Sequence, residues 1–261
     1  MDDALLVLLL TAAACAPLGV FLILRRLSMM ADAISHTVLL GIVLAFFVTH
    51  DLGSPWLLFG AALMGVVTVS LVELLGKTRL VKYDDAIGVI FPLLFALAVI
   101  LISKYAGNAH LDTDMVLMGE VIYAGLNTVG IGSVEIPAAA LKMGGLALLI
   151  AVFIIVFYKE LKVSAFDGEY ARLIGVPTGI LFYAFMSLTS LTTVAAFDAV
   201  GAILVISFFI APGAAALLFT KHLSHTLLLA LLVSTANSAL GYALAVHMNA
   251  SIAGLCAVIN M

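Results

Sequence analysis

The sequence predicts an all-α protein, a polytopic bundle of about eight to nine transmembrane helices. Three observations carry that prediction. The 261 residues are 65% hydrophobic and only 10% charged, against about half and about a quarter in ordinary soluble domains. The apolar residues form long unbroken runs rather than the short alternating segments of a membrane β-barrel. Lys and Arg also gather between alternate runs, as they do on the inner side of a membrane.

A helix needs about 20 apolar residues to cross the hydrocarbon core, where its backbone groups must be satisfied internally. Eight runs meet that length, at residues 4–24, 29–49, 55–76, 86–103, 144–158, 177–197, 199–219 and 223–246. A ninth begins at residue 251 and reaches Met261. The first run continues past Cys15, and the chain opens Met1-Asp2-Asp3. A cleaved signal opens with positive charge, so the run reads as a retained helix. Cys15 and Cys256 both lie in apolar runs, which argues against a disulfide framework.

Placing the N-terminus outside puts Arg25, Arg26, Lys77, Arg79, Lys82, Lys159, Lys162, Arg172 and Lys221 in the cytoplasm. Only Lys104 and Lys142 of the 11 basic residues then face outward. Residues 104–143 become an external connection carrying His110, Asp112, Asp114, Glu120 and Glu135. Residues 159–176 become a charged cytoplasmic connection, and residues 1–261 read as a single transmembrane domain. Pro55 and Pro177 open spans, where a missing N–H is harmless. Pro17, Pro92 and Pro212 lie inside spans and are expected to bend or break them.

The most informative stretch opens the second span: Arg25-Arg26-Leu27-Ser28-Met29-Met30-Ala31-Asp32-Ala33-Ile34-Ser35-His36. Asp32 and His36 are one turn apart and share a helix face. Counted from Arg26, they lie about 9 and 15 Å into the membrane. Ionisable groups so deep are costly and usually mark a pathway. A carboxylate with a neutral imidazole is half a site for Mn, Fe or Zn. The same spacing also suits a self-contained pair, a helix cap or a proton relay.

This stretch resembles the signature of the permeases of manganese, zinc and iron ABC importers, the ABC-3 family. That signature runs Arg, a few residues, then Gly-Asp-Ala-hydrophobic-Ser-His, with Ala31 here at the glycine position. Further ordered matches are Asp85-Ala86-Ile87-Gly88, Leu97 to Ser103, Asp167 to Gly175, with Gly168 where proline is commoner, and Ala199 to Pro212. They extend the resemblance over nearly the whole chain.

The resemblance implies a type II (vitamin B12 permease-like) ABC importer permease in the plasma membrane of a prokaryote. It implies that Asp32 and His36 coordinate the metal, which is the transported substrate (Mn, Zn or Fe) and not a permanently bound cofactor. Two ligands per chain call for a second protomer, identical or related, to complete the pathway. Further implied partners are ATPase subunits and an external metal-binding protein, besides the membrane lipid; no nucleic acid is involved.

Residues 164–175 read as a short helix, with Ser164 and Asp167 as cap residues and Gly175 at its end. Asp167, Glu169, Ala171, Arg172 and Gly175 would meet the ATPase, with small Ala171 admitting another surface. Taken without the resemblance, the same stretch is an ordinary solvated helix.

Gly76-Lys77-Thr78 imitates the end of a phosphate-binding loop, but Leu71 stands where that loop needs glycine. The chain therefore reads as a transporter subunit and not an enzyme, with ATP hydrolysis in a partner. Two alternatives stay open: an ABC permease for a metal chelate or vitamin, and an ion-coupled secondary metal transporter. Asp198, His50-Asp51, His222, His225, His247 and Glu73 have solvation or capping as their default roles.

Overall fold

The computed structural model describes residues 3–51, 54, 56–78, 80–105, 128–131 and 134–261. The first four helices are α1 (Asp3–Leu24), α2 (Ser28–Thr49), α3 (Trp56–Lys77) and α4 (Tyr83–Tyr105). Two short strands follow, β1 (Thr128–Ile131) and β2 (Val134–Pro137). Then come α5 (Ala138–Val156), α6 (Tyr158–Phe166), α7 (Gly168–Leu173) and α8 (Thr178–Val200). The chain closes with α9 (Ala202–Phe219), α10 (Leu223–Met248) and α11 (Ile252–Asn260).

Eight of the described helices are long and apolar enough to cross a membrane: α1 to α5 and α8 to α10. Each coincides with one of the eight apolar runs. The ninth run forms α11, of nine residues up to Asn260. Of the expected bend or break at Pro17, Pro92 and Pro212, no break occurs: helices α1, α4 and α9 run on through them. A proline withdraws one N–H, and neighbouring helices in a membrane protein can hold the rest of the ladder together.

The all-α architecture is as expected, with one short two-stranded pair added to it. Residues β1 and β2 pair antiparallel, with Thr128 opposite Pro137 and Ile131 opposite Val134. The cause is visible afterwards in the sequence: Val129, Ile131, Val134 and Ile136 sit at alternating positions on either side of a Gly-Ser pair, which is a hairpin pattern. With α4 reaching Tyr105 and α5 opening at Ala138, the connection is shorter than the 104–143 expected. His110, Asp112, Asp114 and Glu120 lie outside the described residues, and Glu135 lies in β2.

The chain divides into two compact units. The first comprises the described residues within Met1–Ser28, Met118–Phe182 and Ala195–Met261. Its centre is α1, packed by α5, α9 and α10. Buried residues occur on all sides of α1, including Val7, Leu8, Cys15, Leu18, Val20 and Phe21, as expected of a helix that is apolar all round. Gly19 lets α1 approach α9 until a Cβ there would overlap the carbonyl of Phe209.

Helix α11 is apolar in composition yet is held by polar groups. The Asn260 Nδ2 donates to Ser207 Oγ on α9 at 3.0 Å. Asn237 Nδ2 on α10 donates to Asn260 Oδ1 at 3.3 Å, and Ser207 Oγ donates to the Ala257 carbonyl at 3.3 Å. Asn260→Ala removes both interhelical bonds of its amide. We expect α11 to loosen by about 1 kcal/mol. Amide hydrogen exchange should accelerate in residues 252–260 and stay slow in α1.

The second unit comprises the described residues within Met29–Leu117 and Tyr183–Val194. It holds α2, α3, α4 and the middle of α8. Leu39, Leu40, Met64, Leu94 and Ala98 form its apolar core. Thr68 Oγ1 meets Thr37 Oγ1 at 2.8 Å, joining α3 to α2. Ser190 Oγ donates to the Ala62 carbonyl at 3.0 Å, joining α8 to α3.

Burial is inverted relative to a water-soluble fold. Thr11, Thr37, Thr68, Thr189, Thr192 and Thr193 are buried, while Leu148 and Leu218 are 70% and 83% exposed. Four of these buried hydroxyls are satisfied locally: Thr11, Thr189, Thr192 and Thr193 each donate to the carbonyl four residues back. Apolar side chains outward and satisfied hydroxyls inward are what a lipid solvent permits.

Candidate functional site

Asp32 and His36 project from the first half of α2, one turn apart. The flanking Ala31, Ala33, Ile34, Ser35 and Thr37 are buried, which fixes the rotation of the helix and leaves the pair on the remaining face. Ser35 Oγ donates back to the Asp32 carbonyl. His36 Nε2 lies 3.5 Å from Asp32 Oδ1, with the two side chains 36% and 37% exposed. The acid and the imidazole are therefore brought together as expected.

The His36 ring is held by two residues that the sequence reading missed. Phe91 and Phe95 of α4 place their rings 5.4 and 5.7 Å from it, the second edge-on. They stand one turn apart on α4, as Asp32 and His36 do on α2. Two aromatic neighbours limit the swing of the imidazole and leave its Nε2 beside the carboxylate.

The 3.5 Å separation is compatible both with a weak hydrogen bond and with two donors on one cation. An N–H···O bond prefers 2.7–3.2 Å. Two donors on one tetrahedral cation, with bonds of about 2.1 Å, stand about 3.4 Å apart. Among the described residues no third His, Cys, Asp or Glu joins the pair to complete a cage. The pair alone amounts to two potential donors.

The stretch expected as one short helix is divided. Helix α6 ends at Phe166, and Asp167 turns extended and caps α7, accepting the Tyr170 N–H at 2.9 Å. Ser164 is not a cap: it lies inside α6, where its hydroxyl donates to the Leu161 carbonyl at 3.2 Å. Gly175 takes φ +88°, and the Gly175 and Val176 N–H groups bond back to Arg172 and Ala171. That pattern is a Schellman stop, which favours glycine. Glu169 and Arg172 are exposed, and Arg172 Nε donates to Thr178 Oγ1 at 3.1 Å.

Ala171 departs from expectation. It is 0% exposed, so its small side chain serves packing inside this chain rather than the approach of another surface. The accessible apolar groups are Phe166, Tyr170, Leu173 and Ile174, with Leu173 85% exposed. Charge marks this segment in the sequence, whereas the exposure of its hydrophobic residues shows only in the fold.

Asp198 meets Lys142 Nζ at 3.4 Å, and both are largely exposed. Glu73 meets Lys77 at 2.7 Å within α3. His222 and His225 are exposed with ring centroids 5.6 Å apart. His50 takes φ +51° at the end of α2.

Comparison with known proteins agrees with this architecture. Residues 1–261 match the family model described as the ABC 3 transport family. The chain is 44% identical over 252 residues to the manganese transport system membrane protein MntD of Bacillus subtilis, covering 96% of this chain and 85% of that protein. It is 45% identical over 255 residues to the zinc transport system membrane protein TroD of Treponema pallidum, covering 98% of this chain and 70% of that protein. Among solved structures, PsaBC from Streptococcus pneumoniae in complex with Fab superposes with a TM-score of 0.79. Its identity is 27%, over 99% of this chain and 87% of that chain. A match to the family model over its whole length, with relatives this similar, means that the chain belongs to the ABC 3 transport family.

Proposed function

We propose that this chain is the membrane permease subunit of an ATP-driven importer for a divalent transition metal: manganese, zinc or iron. The carrying observation is the Asp32–His36 pair, held 3.5 Å apart on a membrane-length helix. Its donor set is hard enough for manganese and iron and nitrogenous enough for zinc. Relatives named for manganese, zinc and chelated iron transport support that range.

In this reading the chain binds no permanent cofactor, and the metal passes as cargo. Two protomers, identical or related, each present Asp32 and His36 to a shared pathway. A pathway that holds its ion by few donors also releases it. The basic bias supports an N-terminus outside, the remaining connection between α4 and α5 outside, and residues 159–176 in the cytoplasm. There the exposed Phe166, Tyr170, Leu173 and Ile174, flanked by Asp167, Glu169 and Arg172, form a surface suited to an ATPase subunit. An external metal-binding protein would deliver the ion.

The test is uptake by proteoliposomes containing the chain with its cognate ATPase and delivery protein. We expect ATP-dependent entry of free Mn2+, Zn2+ or Fe2+. Entry of a metal chelate alone, or uptake driven by an ion gradient without ATP, would replace this reading.

A further inference from the structure

The corner between α1 and α2 is tied to a distant part of the chain. Helix α1 ends in a Schellman stop: Arg26 N–H bonds to the Ile23 carbonyl at 2.9 Å and Leu27 N–H to the Leu22 carbonyl at 2.8 Å. Arg26 occupies the left-handed position, φ +59°. Glycine usually stands there, and a side chain in that conformation costs about 1 kcal/mol or more. Leu27 is buried and pins the turn. The corner is thus a fixed piece of backbone, and α2 opens at the next residue, Ser28.

Arg25 stands at the head of this corner, half-buried. Its Nη2 donates to Ser164 Oγ at 2.7 Å, across 139 residues of sequence. The Ser164 hydroxyl hydrogen is already directed to the Leu161 carbonyl, so its oxygen is left to accept. A bond from a guanidinium is stronger than one between neutral groups. Burial lowers the pKa of Arg25 from its ordinary value, yet a guanidinium stays charged in a protein.

Both ends of that bond lie next to something that matters. Ser164 precedes by three residues Asp167, the cap of α7. Arg25 precedes by a rigid two-residue link the helix carrying Asp32 and His36. We propose that Arg25 is a positioning residue for transport: through Ser164 it passes displacements of residues 159–176 to the start of α2. The inference rests on the proposed reading of those residues as the ATPase-facing segment and of Asp32 and His36 as metal donors. A slack connection would let α7 move without α2. A charge-assisted bond to a stiff turn ties the segment to Ser28, the first residue of α2.

The experiment measures ATP hydrolysis and Mn2+ uptake in the same proteoliposomes. These hold the full transporter carrying Arg25→Ala, Arg25→Lys, Ser164→Ala or the Arg25→Ala/Ser164→Ala pair. We expect ATP hydrolysis to persist while Mn2+ imported per ATP falls about fivefold or more in each alanine variant. The paired variant should fall no further than Arg25→Ala, and Arg25→Lys should recover most of the ratio. A purely structural defect would lower both activities together and leave their ratio unchanged.

An unchanged ratio, or losses that multiply in the paired variant, overturns the inference. If Arg25→Ala does not assemble, Ser164→Ala decides, because it deletes one hydroxyl from a helix that keeps its other contacts. An unaltered transporter that hydrolyses ATP and moves neither Mn2+, Zn2+ nor Fe2+ overturns the proposed function itself, and the inference falls with it.

Discussion

We expect Asp32→Asn to lower ATP-driven metal uptake by about 100-fold or more, with the protein still inserted and folded. The substitution keeps the shape of the side chain and exchanges an anionic oxygen for an amide. Residues that merely orient a metal ligand already change affinity by about 10- to 100-fold, and a donor belongs at the upper end or beyond. If the proposed pathway has two donors per chain, the loss of one would leave an imidazole that binds a passing cation poorly. His36→Ala should match it in uptake but is the less clean test, because it also empties the space between Phe91 and Phe95. Uptake and elution from size exclusion should be measured on the same preparation. Normal uptake in both variants would remove these residues from the pathway.

Gly19→Leu should prevent the first unit from assembling. A Cβ at this position already overlaps the Phe209 carbonyl, and the atoms it meets are backbone. Backbone cannot turn aside as a flexible side chain can. Helix α1 cannot retreat either, since it is buried over most of its length. Overfilling an ordinary core costs about 1–3 kcal/mol, and this contact should exceed that range. The expected result is aggregated protein in detergent, or a large fall in Tm. Gly145→Ala is the matched control: nothing lies within 4 Å of its added Cβ, and the helix should be unharmed or slightly stabilised. Equal behaviour of the two variants would contradict the close crossing of α1 and α9.

The spans could be read from sequence because bilayer thickness imposes one length on every crossing helix. That is why eight apolar runs reappear as eight helices, displaced by a few residues at their ends. The largest displacement is at α5, which opens at Ala138 rather than 144, with Lys142 in its first turns. A long cationic side chain can reach water from there, so hydropathy alone places the boundary too late. The Asp32–His36 pair was legible for a related reason. Charged groups are so rare in these runs that two of them one turn apart stand out.

What escaped the sequence was whatever depends on a distant partner. Nothing local to α4 says that Phe91 and Phe95 meet an imidazole, and nothing local to Ser164 says that Arg25 arrives. Ala171 had the size for a surface contact, and only packing shows that it is covered from within. The hairpin β1–β2 is different: its alternation is local, but it was overlooked inside a segment already assigned as a connection. Asp167 and Gly175 were legible as a start and a stop because their chemistry acts on adjacent backbone.

The outward oil and inward hydroxyls have a bearing on how such a chain holds itself together. Hydrocarbon tails solvate leucine as well as another leucine does, so association of the spans draws little from water's exclusion. What remains is fit: dispersion between surfaces that touch closely, and a few interior polar bonds. Volume at a crossing therefore matters more than greasiness. A side chain one size too large at Gly19 is a graver fault than a serine placed where valine stood.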